Sequence, residues 1–171
     1  FFDLNYNNDY CVIEDNKFIN ASGYTMSEEQ MDCVGGNGQG QDYNIIRRNT
    51  IVGNFQSGIR LGITTKKNQV EGNYIEWLPG TDMYGKGGSS VPSGNTFLGN
   101  TIKGGNCGIK LSNSNNNTIT ENTISGSIRG IALVADSIYG SDIAPNGNIV
   151  SKNTINVSNL ANGIISEGLN D

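Results

Sequence analysis

Histidine is absent from the 171 residues. That removes the usual general base, the Ser–His and Cys–His nucleophile pairs, and the commonest metal ligand. Cysteine is scarce. Cys11, Cys33 and Cys107 are odd in number and lack a CxxC spacing, so neither a disulfide framework nor a zinc site is signalled, and small buried thiols are expected. A basic excess is missing as well. With 11 Lys and Arg against 16 Asp and Glu the net charge is −5, which disfavours nucleic acid as a partner. No apolar run exceeds a few residues, so no membrane insertion through a helix is expected. The opening "FFDLNYNNDY" lacks the basic start and small-residue cleavage site of a signal peptide, and it begins inside a strand-like pattern. Residues 1–171 are therefore read as one domain, a fragment of a longer chain.

What is present is a repeat. Asn16-Lys-Phe18, Asn49-Thr-Ile51, Asn73-Tyr-Ile75, Asn100-Thr-Ile102, Asn122-Thr-Ile124 and Asn153-Thr-Ile155 form a series. Three residues before each Asn stands an apolar residue: Ile13, Ile46, Val70, Phe97, Ile119 and Val150. Five before it a second Asn recurs at 44, 68, 95, 117 and 148, with Cys11 in that place in the first copy. Downstream comes a glycine followed by alternating residues, as in Gly58-Ile-Arg-Leu61, Gly108-Ile-Lys-Leu111 and Gly130-Ile-Ala-Leu133. Six copies spaced 22 to 33 residues apart define a repeat protein. Each copy holds three alternating segments too short, and too rich in Gly and Asn, for helices. Asn tolerates the left-handed backbone of a sharp bend, and its amide can bond to the same group one coil away. Stacked copies predict an Asn ladder, with Ile, Val and Leu piled inside.

The pattern resembles the right-handed parallel β-helix superfamily, the pectate-lyase-like fold, over nearly the whole chain. The resemblance implies an all-β, single-stranded parallel β-helix of about six coils. It assigns the ladder to the bend between second and third strands and the Gly-led segments to the first strand of each coil. The Asn-rich style is also similar to archaeal cell-surface β-helix proteins of the disaggregatase type, which implies action on an extracellular or cell-wall polysaccharide. Low Lys content and sequons at Asn20, Asn116 and Asn156 fit an extracellular or cell-surface location. Fold alone does not decide activity, because lyases, hydrolases and non-catalytic surface modules share it.

Function is expected where the repeat breaks. Long insertions interrupt the first copy ("NASGYTMSEEQ", "VGGNGQGQ"), the third ("EWLPGTDMYGKGGSSVPSG") and the fifth ("VADSIYGSDIAPNG"). They would leave the coil as loops and wall a groove along the first-strand sheet. The outward row of that sheet is expected to read Asp3, Asp32, Arg60, Asp82, Lys110, Ala132 and Ile165, with Tyr84 replacing Asp82 on a one-residue shift. Asp32 and Asp82 would flank Arg60, about 9–10 Å apart, and Asp3 would adjoin Asp32.

Two chemistries follow. A carboxyl pair about 6.5–9.5 Å apart suits inverting glycoside hydrolysis, with Asp32 and Asp82 as acid and base and with Arg60 and Lys110 holding a sugar carboxylate or sulfate. β-Elimination would instead use Lys110 or Arg60 as base, with Ca²⁺ on Asp3, Asp32 and Asp82. The GHG segment of pectinases is missing, which weakens the match to that family. Trp77 and Tyr84 are candidate sugar-stacking residues. The competing reading is a non-catalytic glycan-binding or structural surface module, with flanking domains or an oligomeric partner covering the apolar coil ends.

Overall fold

A computed structural model describes residues 2–4, 7–19, 32–35, 40–53, 57–61, 65–77, 84–85, 93–105, 107–135, 144–157 and 163–167. Every paired strand is parallel, and no helix occurs among these residues. Coil 1 holds β1 (Phe2–Asp3), β2 (Val12–Glu14) and β3 (Lys17–Ile19); coil 2 holds β4 (Asp32–Gly35), β5 (Ile45–Arg47) and β6 (Thr50–Gly53). Coil 3 follows with β7 (Ser57–Arg60), β8 (Gln69–Glu71) and β9 (Tyr74–Trp77), and coil 4 with β10 (Tyr84–Gly85), β11 (Thr96–Leu98) and β12 (Thr101–Lys103). Coil 5 comprises β13 (Cys107–Ser112), β14 (Thr118–Thr120) and β15 (Thr123–Ser125). Coil 6 comprises β16 (Arg129–Val134), β17 (Ile149–Ser151) and β18 (Thr154–Asn156), after which β19 (Ile164–Glu167) extends the first wall. Second and third walls are six-stranded sheets, and the described first-wall strands pair as β1-β4-β7 and β10-β13-β16-β19.

Alternation along each short strand sends one residue per coil inward. The second wall contributes the row Ile13, Ile46, Val70, Phe97, Ile119 and Val150; the third contributes Phe18, Ile51, Ile75, Ile102, Ile124 and Ile155. Leu4, Val34, Ile59, Leu61, Ile109, Leu111 and Ile131 complete the core from the first wall. Burial of stacked β-branched side chains supplies the apolar driving force. Glycine is required where the first wall meets the third. A Cβ on Gly108 would lie 2.5 Å from Ile124 Cγ2, and one on Gly130 would lie 2.4 Å from the Gly163 carbonyl oxygen.

Two Asn ladders hold the coils in register. In one, Asn49 Oδ1 accepts the Asn16 backbone N–H (3.1 Å), Asn73 that of Asn49 (3.0 Å), Asn100 that of Asn73 (3.0 Å), Asn122 that of Asn100 (2.9 Å) and Asn153 that of Asn122 (2.9 Å). Each Nδ2 reaches back to the carbonyl of the inward residue one coil earlier: Asn49 to Ile13, Asn73 to Ile46, Asn100 to Val70, Asn122 to Phe97 and Asn153 to Ile119. The second ladder runs through Cys11 N–H, Asn44, Asn68, Asn95, Asn117 and Asn148 on the same plan. A bend leaves backbone N–H and C=O groups that no sheet can pair, and one amide satisfies both kinds.

The ladder Asn is not the left-handed residue that sequence reasoning expected. Positive φ falls one place earlier, at Asp15, Arg48, Gly72, Gly99, Glu121 and Lys152 in one bend. In the other it falls at Tyr10, Tyr43, Lys67, Gly94, Asn116 and Gly147. The left-handed residue swings its side chain into solvent, which lets the next side chain, the buried Asn, point inward along the stack. For the non-glycine members the left-handed backbone costs about 1–2 kcal/mol each.

Charge on the bend is matched coil to coil. Arg47 lies between Glu14 (2.6 Å) and Glu71 (3.8 Å), while Arg48 meets Glu14 (2.8 Å) and Asp15 (2.7 Å). A hydrogen bond from Arg47, then contacts with Arg48, hold the Glu14 carboxyl below its ordinary value; Arg48 does the same to Asp15.

Removal of a central rung is expected to be costly. Asn100→Ala strands the Asn73 N–H and the Val70 carbonyl, so about 2–4 kcal/mol of stability should be lost in urea unfolding. Asn16→Ala, at an exposed rung, should lose less than about 1 kcal/mol. Equal losses at the two positions would contradict the ladder as a main constraint. Acid should act through the bend charges. Because the Glu14 and Asp15 values are lowered on folding, their contribution is full above the unfolded carboxylate range and fades as pH falls through the folded values. The urea midpoints of wild type and Arg48→Ala should therefore differ at pH 6 and converge towards pH 3.

Candidate functional site

All variation in coil length is confined to one wall. Successive ladder Asn residues are 33, 24, 27, 22 and 31 positions apart. Yet the bend between second- and third-wall strands is always two residues, from Asp15-Asn16 to Lys152-Asn153. The extra residues enter and leave at the ends of first-wall strands. There the long insertions flank β4 and β10, and β10 itself is only two residues long. Amides fix the ladder bend in every coil, so added chain is accommodated only where no ladder runs.

Register within the first wall differs from the expected row. Asp3 is aligned with Gly35, and Gly35 with Arg60. Asp32 is aligned with Ser57, three residues upstream of Arg60, so the outward place in the second coil belongs to Gly35. Val34, not Cys33, is the inward core residue of that strand, paired with Phe2 and Ile59. The short segment "QMDCVGG" alternates acceptably in two frames, and stacking of Val34 on Ile59 selects one of them. Asp3 and Asp32 are thereby offset by one strand and three residues, about 11 Å between backbones, and do not sit side by side. Among the described residues no three Asp, Glu or Cys side chains converge on one point.

On the other part of the wall, Tyr84 is aligned with Lys110, Lys110 with Ala132, and Ala132 with Ile165. Tyr84, the alternative to Asp82 and two residues beyond it, thus holds the row position; Asp82 lies outside the described residues. The side chains of Asp3, Asp32, Trp77 and Tyr84 also lie outside them, and for these the backbone position alone is given. Trp77 ends β9 opposite Gly53, immediately before an insertion. The row accordingly reads Asp3, Gly35 and Arg60 in the first three coils, and Tyr84, Lys110, Ala132 and Ile165 from β10 onward.

Much of the outer face is covered. Arg60 is only 5% exposed, although its neighbours Ile59 and Leu61 take the inward places. Ala132 and Val134, alternating with inward Ile131, are 1% and 7% exposed and cluster with Cys107 apart from the main core. Lys110 is half-buried. Sequence reasoning missed this second apolar cluster. Its signal was the unbroken apolar run "GIALV", which alternation alone treats as half outward-facing.

Comparison with known families gives one finding: residues 32–170 match the family described as "Right handed beta helix region". The chain belongs to that family. No curated protein and no solved structure gives a significant match. For this β-helix protein, then, family membership carries the architecture, and the chemistry has to be argued from the first wall.

Coverage of that wall is testable. Ala132→Asp places a carboxylate in a covered apolar setting and should cost about 2–4 kcal/mol in urea unfolding. An open outer face would hold the change within about 0.5 kcal/mol.

Proposed function

We propose that this β-helix protein is a carbohydrate-active domain, extracellular or on the cell surface, that holds an acidic polysaccharide along its first wall and cleaves it there. The observation that supports this is the confinement of all coil-length variation to that wall, whose row includes Arg60, Tyr84 and Lys110. Insertions beside a rigid sheet form a groove, and an extended glycan needs a groove along which successive residues can bind. Half-buried Lys110 supplies positive charge for uronate carboxylates or sulfates, buried Arg60 adds to the field from beneath the surface, and Trp77 and Tyr84 supply aromatic faces for sugar rings.

Register favours β-elimination over hydrolysis. A carboxyl pair across Arg60 needs Asp32 in the row, and Gly35 stands there instead. Lys110 then acts as the base that removes the proton next to the uronate carboxylate. The glycosidic C–O bond then breaks, the departing oxygen taking a proton from water, to give an unsaturated sugar, and the buried Arg60 charge favours the negative charge that develops. Hydrolysis would use Asp32 and Asp82 and would leave saturated ends.

Incubation with a panel of uronic-acid polysaccharides should release ultraviolet-absorbing unsaturated ends from at least one, and loss of that release with EDTA would assign Ca²⁺ a part in it. Lys110→Ala should lower turnover about 100-fold or more while retaining most affinity. Saturated reducing ends, lost in Asp32→Asn or Asp82→Asn, would replace elimination by hydrolysis. Binding without any cleavage would make the protein a non-catalytic glycan-binding module.

A further inference from the structure

A sequon is read by spacing and access, not by what its residues do for the fold. Asn116-Asn117-Thr118 lies wholly within the described residues; Asn20 and the Ser158 of the Asn156 sequon do not. Asn116 takes the left-handed place of the first-to-second-wall bend in coil 5, Asn117 is a ladder rung, and Thr118 opens β14. The scaffold explains each of these residues singly. It leaves unexplained that the amides on either side of Asn116 are engaged and its own is not. Asn117 is buried, with Nδ2 3.0 Å from Asn148 Oδ1, and Asn115 Oδ1 accepts the Asn146 backbone N–H (2.8 Å). Asn116 is exposed. Its backbone N–H meets the Asn146 carbonyl (2.9 Å), but among the described residues its carboxamide makes no hydrogen bond.

The coil that follows leaves room for an attachment. Gly147 holds the same bend place, and a Cβ there would lie 2.2 Å from Asn116 Oδ1. In the other bend of the same two coils the arrangement is different: Glu121 is met by Lys152 at 3.7 Å. Thr118 completes the motif on the outer face. It alternates with inward Ile119, stands between Thr96 and Ile149, and is half-buried. We infer that Asn116 is an acceptor site for an N-linked glycan on the exported protein. The inference rests on the extracellular reading above, and it is independent of cleavage at the first wall. In the transfer, Asn116 Nδ2 bonds to C1 of a sugar carried on a lipid phosphate and loses a proton to a base of the transferase. The lipid phosphate leaves with the electrons of the broken C1–O bond. A glycan on this side chain points into solvent from the left-handed place, while the ladder rung next to it stays buried.

The chain would be secreted from a eukaryotic cell behind a cleavable leader, which fixes export whatever the native location. Intact mass and peptide mapping should show a glycan on Asn116. Enzymatic release in heavy-oxygen water should leave a labelled aspartate at that position. Asn116→Gly, matching Gly94 and Gly147 at the equivalent bends, should abolish the modification there and keep Tm within about 3 °C of wild type. Thr118→Ala should abolish it with Asn116 still present, and Thr118→Ser should retain it. The site is overturned if folded, secreted protein carries unmodified Asn116, if modification is confined to Asn20 or Asn156, or if the glycan survives Thr118→Ala. Should Asn116→Gly not fold, the two Thr118 variants decide. Forced export separates the two questions: an unmodified Asn116 strikes the site, whereas a native protein found inside its cell strikes the extracellular reading.

Discussion

A buried primary amide that bonds to the coil before it and the coil after it is the constraint on which this molecule depends. Parallel strands of three residues have few hydrogen bonds of their own, and the two-residue bend between them exposes backbone groups that sheets cannot pair. The Asn side chain accepts from and donates to the coil before it, and its amide also donates to the ladder oxygen of the coil after it, so each rung is satisfied only when its neighbours are in register. Replacement by a residue with only one kind of group would leave part of the bend unpaired in a dry interior, the costlier side of hydrogen-bond energetics. Ladder and apolar rows therefore reinforce each other: the amides set the register and the Ile stacks fill the space it defines.

That division of labour decides where the molecule is free to change. Two bends per coil are held by amides, and the third region, around the first wall, is not. Insertions and departures from the row pattern collect there. The same logic explains the exposed bend positions. Their side chains point outward from a left-handed backbone, so they are open to charge pairs such as Arg48 with Asp15 or to an aromatic column such as Tyr10 on Tyr43. A rigid interior and a permissive rim are two consequences of one hydrogen-bond arrangement.

The candidate row shows how far periodicity reaches. Arg60, Lys110, Ala132 and Ile165 were placed from the Gly-led segments, where a glycine anchors the frame, and the register agrees. Asp32 was misplaced because "QMDC" has no such anchor and alternation has two equivalent frames. Asp82 and Tyr84 share that difficulty, since the strand there is short and lies between two insertions. Covering of the outer face was also illegible from alternation. Burial of Arg60 and Ala132 depends on what lies over the wall, and strand period contains no information about that.

The sequence by itself determined the winding: six copies of Asn and apolar residues at matched offsets admit one arrangement in which amides meet amides and isoleucines meet isoleucines. It also determined that three short strands per coil would carry the stack. Only the tertiary structure decided which residue turns left-handed, which frame β4 adopts, and that Gly35 rather than Asp32 stands beside Arg60. The reason is the range of the interactions. Repeat identity is written in local spacing, whereas register in an irregular coil is settled by contact with the coils above and below it.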